Sequence, residues 1–289
     1  MSEGRRQASL RRLEQFGVRP NRELGQNFLI DDNLLRVIER ESDLSREDVV
    51  LEVGGGLGVL SEHLAPLVAH LHVVEIDRSL APALEDALAP FGNATLHLAD
   101  ALELDFGRLA PSPTKVVANL PYGVAATVLI KSVLELEGST LWVAMVQREV
   151  AERLAAGPGS RAYGATSAIV QLACEVRLAR RVSRTVFVPA PNVDSALVTL
   201  RRVHPSPSPP LIALVHAAFA HRRKTLAGSL ALAPAAPDGL RQRASAALEA
   251  IGLAPAARAE SLAPDDFERL ARRLEADLPA LARRAGSAS

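Results

Sequence analysis

Four consecutive residues, Asn119-Leu120-Pro121-Tyr122, are suited to presenting the exocyclic amine of an aromatic base to an electrophile. Such an amine is a poor nucleophile because its lone pair is delocalised into the ring. Two acceptors, the Asn119 side-chain carbonyl and the Leu120 backbone carbonyl, can hold its two hydrogens and turn the lone pair toward a methyl group. Pro121 stiffens the loop and adds no competing N–H. Tyr122 offers a face for stacking, worth ~1–3 kcal/mol per base in single-strand binders. No general base is required, since the alkylated amine is strongly acidic and positioning supplies most of the rate. Alone, the tetrapeptide reads as a proline turn with a packed tyrosine; the residues before it give it its meaning.

Those residues form a strand, a glycine turn and a helix: Val49-Val50-Leu51-Glu52-Val53, then Gly54-Gly55-Gly56-Leu57-Gly58, then the helical pattern from Val59 to Leu64. Glycines at 54, 56 and 58 make G-x-G-x-G, whereas the dinucleotide fingerprint would need a glycine at 59, where Val59 stands. A phosphate-free ligand, a flat nucleoside carrying an amino-acid tail, needs only close backbone approach there. S-adenosylmethionine is such a ligand. Glu75 closes a second strand 21 residues after Gly54 and is placed to take both ribose hydroxyls. Asp100, just past a third strand, could accept the adenine amino group. Gly54, Gly56, Glu75 and Asp100 are therefore the cofactor candidates, and the order strand, glycine loop, strand, Glu, strand, Asp is what separates this reading from ordinary solvated acids.

These groups have to be held by a sheet. Strand patterns at 49–53, 71–76, 95–98, 115–118, 141–146 and 195–200 alternate with helical ones, including 79–88, and predict a parallel, doubly wound α/β sheet with ligands at its carboxyl ends. Before it, Arg5 to Phe16 and Asn33 to Arg40 read as helices. The run His204-Pro205-Ser206-Pro207-Ser208-Pro209-Pro210 suits neither a helix interior nor a central strand and predicts a linker. Helical patterns at 211–220, 224–232, 240–251 and 265–274 follow. The predicted division is thus 1–203 for the catalytic sheet, with 1–48 as an N-terminal arm and cofactor lid, 204–210 as the linker, and 211–289 as a small helical domain.

The 289 residues carry 33 bases and 33 acids, 48% apolar and 23% charged side chains, a globular balance with zero net charge. Yet residues 41–105 hold two bases against thirteen acids, while 106–203 hold twelve bases against six acids. Such segregation either gives a cleft a basic rim that attracts a polyanion or reflects solvated helix faces. A single cysteine, Cys174, excludes an intrachain disulfide framework, and the seven histidines show no metal spacing, so no metal is expected. No apolar run reaches the ~20 residues of a membrane helix, and no signal peptide core is present, which predicts a cytoplasmic protein. A base inside a duplex cannot reach the Asn119 loop, so the target must be flipped or unpaired. Phe187, in Val186-Phe187-Val188-Pro189-Ala190-Pro191-Asn192-Val193-Asp194-Ser195, is either a second stacking face or a core phenylalanine. Arg177, Arg180, Arg181, Arg184, Arg222, Arg223 and Lys224 are either phosphate contacts or ordinary surface charges.

Together these motifs resemble the ribosomal RNA adenine N6,N6-dimethyltransferases, and within them the bacterial small-subunit (16S) enzymes. The likeness covers most of the chain. It runs through Leu24-Gly25-Gln26-Asn27-Phe28-Leu29, Glu52 to Gly58, Glu75-Ile76-Asp77-Arg78, Asn119 to Tyr122, Gln147 to Leu154, Pro158-Gly159-Ser160 with Tyr163-Gly164, Phe187 to Ser195, and Phe219 to Leu226. The resemblance implies that Asn27, Leu29, Gly54, Glu75, Asp100 and Asn119 line the S-adenosylmethionine site, and that Asn119 to Tyr122 hold the adenine. It further implies four methyl transfers onto two adjacent adenines of the 3′-terminal hairpin loop of 16S RNA. The partner would be an immature small subunit engaged by the C-terminal helical domain, and the enzyme would act as a monomer. Two places depart from the family. Gly55 stands where proline is usual, which predicts a looser loop. Gly123-Val124-Ala125-Ala126 replaces polar residues and predicts an uncapped helix start. A large-subunit adenine methylase of the macrolide-resistance type and a non-catalytic assembly factor are the alternative readings.

Overall fold

The computed structural model describes residues 11–21 and 24–282. The chain divides into two compact units, residues 1–151 with 175–202 and residues 152–174 with 203–289. The division differs from a single cut after residue 203, because the stretch 152–174 groups with the C-terminal helices. Nothing in its composition marks that membership.

Unit 1 is built on a seven-stranded sheet. In chain order its strands are β2 (Val49–Val53), β3 (His70–Glu75), β4 (Ala94–Leu98), β5 (Lys115–Asn119), β6 (Leu141–Gln147), β7 (Cys174–Val182) and β9 (Ser195–Arg202), while β1 (Phe28–Leu29) and β8 (Phe187–Val188) form a separate antiparallel pair. The spatial order is β4-β3-β2-β5-β6-β9-β7. The pairs β2/β3, β3/β4, β2/β5 and β5/β6 are parallel, but β9 runs antiparallel to β6. The expected all-parallel sheet is thus corrected to a mixed one. β7 was not anticipated: its Arg-rich sequence, Cys-Glu-Val-Arg-Leu-Ala-Arg-Arg-Val, suits an edge strand exposed to solvent rather than the apolar run of a central one. By contrast β2 is buried at all five positions, including Glu52.

Helices pack the sheet through apolar faces: α1 (Asp32–Ser42), α2 (Val59–Leu64), α3 (Ala81–Leu88) and α4 (Ala125–Glu135). The N-terminus of α1 is set by Asp31, whose carboxylate accepts from Leu34 N–H at 2.8 Å, and the helix buries Leu34, Leu35, Val37 and Ile38. Of the helix expected over 5–16, residues 11–15 are helical and 5–10 lie outside the described residues.

Unit 2 is helical. Its longest elements span Pro209–Phe219, Leu240–Ala250 and Pro264–Arg273. The first begins at Pro209 rather than Leu211, with both prolines in the opening turn, where a missing N–H costs nothing. Its core stacks Phe219 between Tyr163 and Phe267, with ring centroids 5.8 and 5.9 Å apart. Arg222 donates to Tyr163 O and to Glu260, and Thr225 caps Leu226–Leu230. Much of the Phe219-to-Leu226 motif is therefore spent holding unit 2 together. No helix among the described residues is long and apolar enough to cross a membrane.

Candidate active site

Strand order reverses between β2 and β5, and their pairing is confined to Val50 with Lys115 and Leu51 with Val116. Beyond it the two carboxyl ends carry the glycine loop and the Asn119 loop, the place where doubly wound sheets bind ligands. The loops approach closely. Gly54 has φ +83°, and a Cβ there would stand 3.2 Å from Asn119 O and 3.2 Å from Pro121 Cδ. Only a residue without a side chain leaves this floor open. The cleft is lined by residues 24–29, the Gly54–Gly56 turn, Glu75 and residues 119–122. It adjoins a slot of about 350 Å³ among Gly54, Glu75, Ile76, Asp100, Ala101 and Val124. Asn27, Leu29, Gly54, Gly56, Glu75, Asp100, Asn119, Leu120, Pro121 and Tyr122 thus come together around two connected cavities.

Gly55 is closely packed. A Cβ there would fall 2.5 Å from Val73 Cγ1 and 2.9 Å from Leu84 Cδ2, two fully buried side chains that take up the space a larger residue would need. The expected gap at the start of α4 is present: Val124 is its N-cap and makes no side-chain capping bond. Gly123 and Val124 instead form part of the slot wall.

The electrostatics are dominated by acids. Glu75 is 6% exposed; its Oε2 accepts from Gly56 N–H at 2.9 Å and its Oε1 from Asp77 N–H at 2.9 Å. Each oxygen keeps one lone pair for a ligand hydroxyl. Burial raises its pKa, aided by the Asp77 charge and opposed by backbone donors at Asp77, Gly56 and Ile76. Deeper in, Glu52 is completely buried, with no partner of normal hydrogen-bond geometry, and burial, opposed by the nearby Ser61 hydroxyl and aided by the Glu75 charge, pushes it up to about 8. Burial thus favours its neutral form. Such a lining disfavours phosphates and suits a ligand rich in hydroxyl and amine donors with a flat ring.

The Asn119–Tyr122 tetrapeptide is held from both sides. Asn119 Nδ2 donates to Asn27 O at 3.2 Å, which fixes the amide so that Oδ1 is the end able to accept. Next to it, Gln26 Nε2 donates to Asp77 Oδ2 at 2.6 Å, tying the 24–29 segment across the cleft. Tyr122 shares a 2.6 Å hydrogen bond with Ser195 Oγ, and burial raises its pKa. Phe187 is not brought to this face. It is 2% exposed, pairs with Leu29 through the β1–β8 ladder and packs in the core with Phe28 and Val182, so of its two readings the core phenylalanine is the one that holds in this structure. Among the arginines, Arg177 meets Glu41 at 2.5 Å and is already paired.

Sequence reasoning missed Ile76, Gln26 and Glu52 as site residues. Ile76 is 46% exposed although aliphatic, directly after the Glu75 strand end, and this exposure is a structural signal with no sequence counterpart. Glu52 did carry a signal: a lone acid in a five-residue apolar strand has to be buried.

Comparison with known proteins points one way. Residues 17–275 match the ribosomal RNA adenine dimethylase family. The chain is 46% identical over 276 residues to ribosomal RNA small subunit methyltransferase A of Thermobifida fusca, covering 91% of this chain and 94% of that protein. The enzyme of the same name from Streptomyces coelicolor is 43% identical over 265 residues, with 89% and 91% covered. Among solved structures, the 23S rRNA methyltransferase ErmE superposes with a TM-score of 0.64 at 27% identity over 86% of this chain and all of that one. A dimethyladenosine transferase from Plasmodium falciparum shares the fold, with a TM-score of 0.74 at 23% identity over 86% and 98% of the two chains. With the sheet, the glycine loop and the Asn119 loop in the order described, the chain belongs to the ribosomal RNA adenine dimethylase family.

Proposed function

We propose that this chain is a cytoplasmic, monomeric, S-adenosylmethionine-dependent enzyme that dimethylates N6 of two adjacent adenines in the 3′-terminal hairpin loop of 16S RNA within an immature small subunit. The observation that carries this reading is the bond from Asn119 Nδ2 to Asn27 O, which turns Oδ1 into the acceptor that an adenine amine needs. The names of the relatives from T. fusca and S. coelicolor support small-subunit over large-subunit RNA as substrate.

The cofactor, when bound, supplies an electrophilic methyl group on a sulfonium. The residues present suit it: Gly54 and Gly56 allow close approach, Glu75 accepts from the ribose, Asp100 accepts from the adenine amine, and Asn27, Leu29 and Asn119 close the other wall. The acidic lining also favours a cation. On the target, Asn119 Oδ1 and Leu120 O hold the two amine hydrogens, and the nitrogen lone pair forms the new N–C bond. The nitrogen then loses one proton to solvent. The monomethylated amine still has one hydrogen for one acceptor, so a second transfer can follow at the same site. Tyr122 stacks on the base, and Arg180, Arg181 and Arg184, all exposed, are candidate phosphate contacts.

Labelled S-adenosylmethionine with undermethylated small subunits and, separately, large-subunit RNA tests the proposal. N6,N6-dimethyladenosine in the small-subunit 3′ hairpin is the expected product. Label confined to large-subunit RNA assigns the chain to the resistance-type reaction, and particle binding without label assigns it to assembly alone.

A further inference from the structure

A third cavity, of about 510 Å³, shares Gly25, Gln26, Asn27 and Tyr122 with the cleft and is completed by Gln147 and the Pro189–Val193 loop. Four carboxamides line it, and they are not equivalent. Gln26 is used at both ends, accepting from Asn21 N–H at 2.8 Å and donating to Asp77, and Asn27 Nδ2 donates to Gly25 O at 2.8 Å. Among the described residues the side chains of Gln147 and Asn192 make no hydrogen bond. Pro189 and Pro191 add apolar wall without an N–H donor.

Gln147 differs from Asn192 in its support. It ends β6, half-buried, and lies opposite Ser195 in the β6–β9 ladder, the same Ser195 whose hydroxyl holds Tyr122. The stacking ring and the unused amide are therefore fixed by one rung of a sheet, a rigid base for a recognition group. We infer that Gln147 is a specificity-determining residue whose side-chain N–H donates to a ring nitrogen beside the exocyclic amine of the target base.

In adenine both ring nitrogens nearest the amine, N1 and N7, are acceptors; in guanine N1 carries a hydrogen and C6 a carbonyl. A donor at Gln147 facing N1 would favour adenine over guanine, whereas N7 is an acceptor in both purines; the Asn119 and Leu120 acceptors read only that an amine is present. The inference rests on the adenine methylation proposed above.

Its test uses small subunits reconstituted with RNA carrying adenosine, 1-deazaadenosine or 7-deazaadenosine at the target positions. Rates of methyl transfer at subsaturating RNA are compared for wild type, Gln147→Leu and Gln147→Glu, the last keeping shape but lacking the amide donor. 1-Deazaadenosine should slow wild type by about tenfold. Each variant should lose the same factor on adenosine and nothing further on that analogue, while the other analogue affects all three proteins alike. Penalties that multiply for both analogues, or a wild-type rate for Gln147→Glu on adenosine, overturn the role of Gln147 and leave adenine methylation standing. If wild type fails to methylate adenosine, the proposed function falls, and this inference with it.

Discussion

The two cavities that share Tyr122 employ their polar groups differently. In the cleft, Glu52 apart, the polar side chains are first used by the protein: Glu75 holds two backbone N–H groups, Asp77 holds Gln26, and Asn119 holds the Asn27 carbonyl. In the chamber beyond Tyr122, the side chains of Gln147 and Asn192 hold nothing among the described residues. The cleft is prebuilt, so a ligand meets acceptors already oriented; the chamber is completed by what enters it. Loss of a cleft residue should thus disturb geometry and chemistry together, whereas loss of a chamber residue should alter selection.

The sharpest way to break that contrast is Asn119→Ala. It removes both the oriented acceptor and the tie to residues 24–29, and it should lower turnover by ~10²–10³-fold, the usual consequence of deleting one oriented group from an active site. Cofactor affinity, measured by calorimetry, should change far less. Near-normal single-turnover rates would show that the Asn119 amide is not part of the chemistry.

The next effect concerns the cleft's buried acid. Glu52 takes up a proton on folding, because its pKa rises from 4.5 to about 8. Between those values the native state binds more protons than the unfolded state, so stability should fall as pH rises from 5 to 8 and level off above 8. Glu52→Gln cannot ionise and should remove that fall, a difference of a few kcal/mol across the range. Denaturant midpoints at several pH values measure it, and parallel profiles for the two proteins would place the charge elsewhere. Third in size is Glu75→Ala, which should weaken S-adenosylmethionine binding by ~10–100-fold, since charge-assisted hydrogen bonds contribute ~1.5–3 kcal/mol. Unchanged affinity in a titration would remove the ribose from Glu75.

What the sequence revealed of these regions follows from how locally each is encoded. The glycine loop, Glu75 and the Asn119 loop sit at strand ends within short segments, so periodicity and spacing were enough to find them. The antiparallel β9 and the edge strand β7 were harder, since strand direction depends on connections and β7 carries arginines where a buried strand would carry valine. Phe187 was undecidable because its ring could face either side of the β1–β8 pair, and only the ladder with Leu29 and its burial settle that it lies in the core. The unused state of Gln147 was invisible too, as hydrogen bonds not made leave no mark in a sequence. The packing around Gly55 was equally unreadable, since Val73 and Leu84, distant in sequence, fill the space that a side chain there would occupy.

The smallest expected effect lies at the boundary between the two cavities. Ser195 is fully buried and its hydroxyl meets Tyr122 OH at 2.6 Å, while its backbone pairs with Gln147. Ser195→Ala leaves the ladder intact and frees only the ring's outer end, at a cost of about 1 kcal/mol for one neutral hydrogen bond. If Tyr122 acts by stacking rather than by proton transfer, as proposed above, the loss should appear as a two- to fivefold rise in KM for RNA, roughly the factor that such an energy gives, with kcat unchanged. Ser195→Thr, which restores the hydroxyl, should recover the affinity. A fall in kcat instead would mean that the tyrosine hydroxyl itself takes part in the reaction, and would move Tyr122 from the wall between the cavities into the machinery of the cleft.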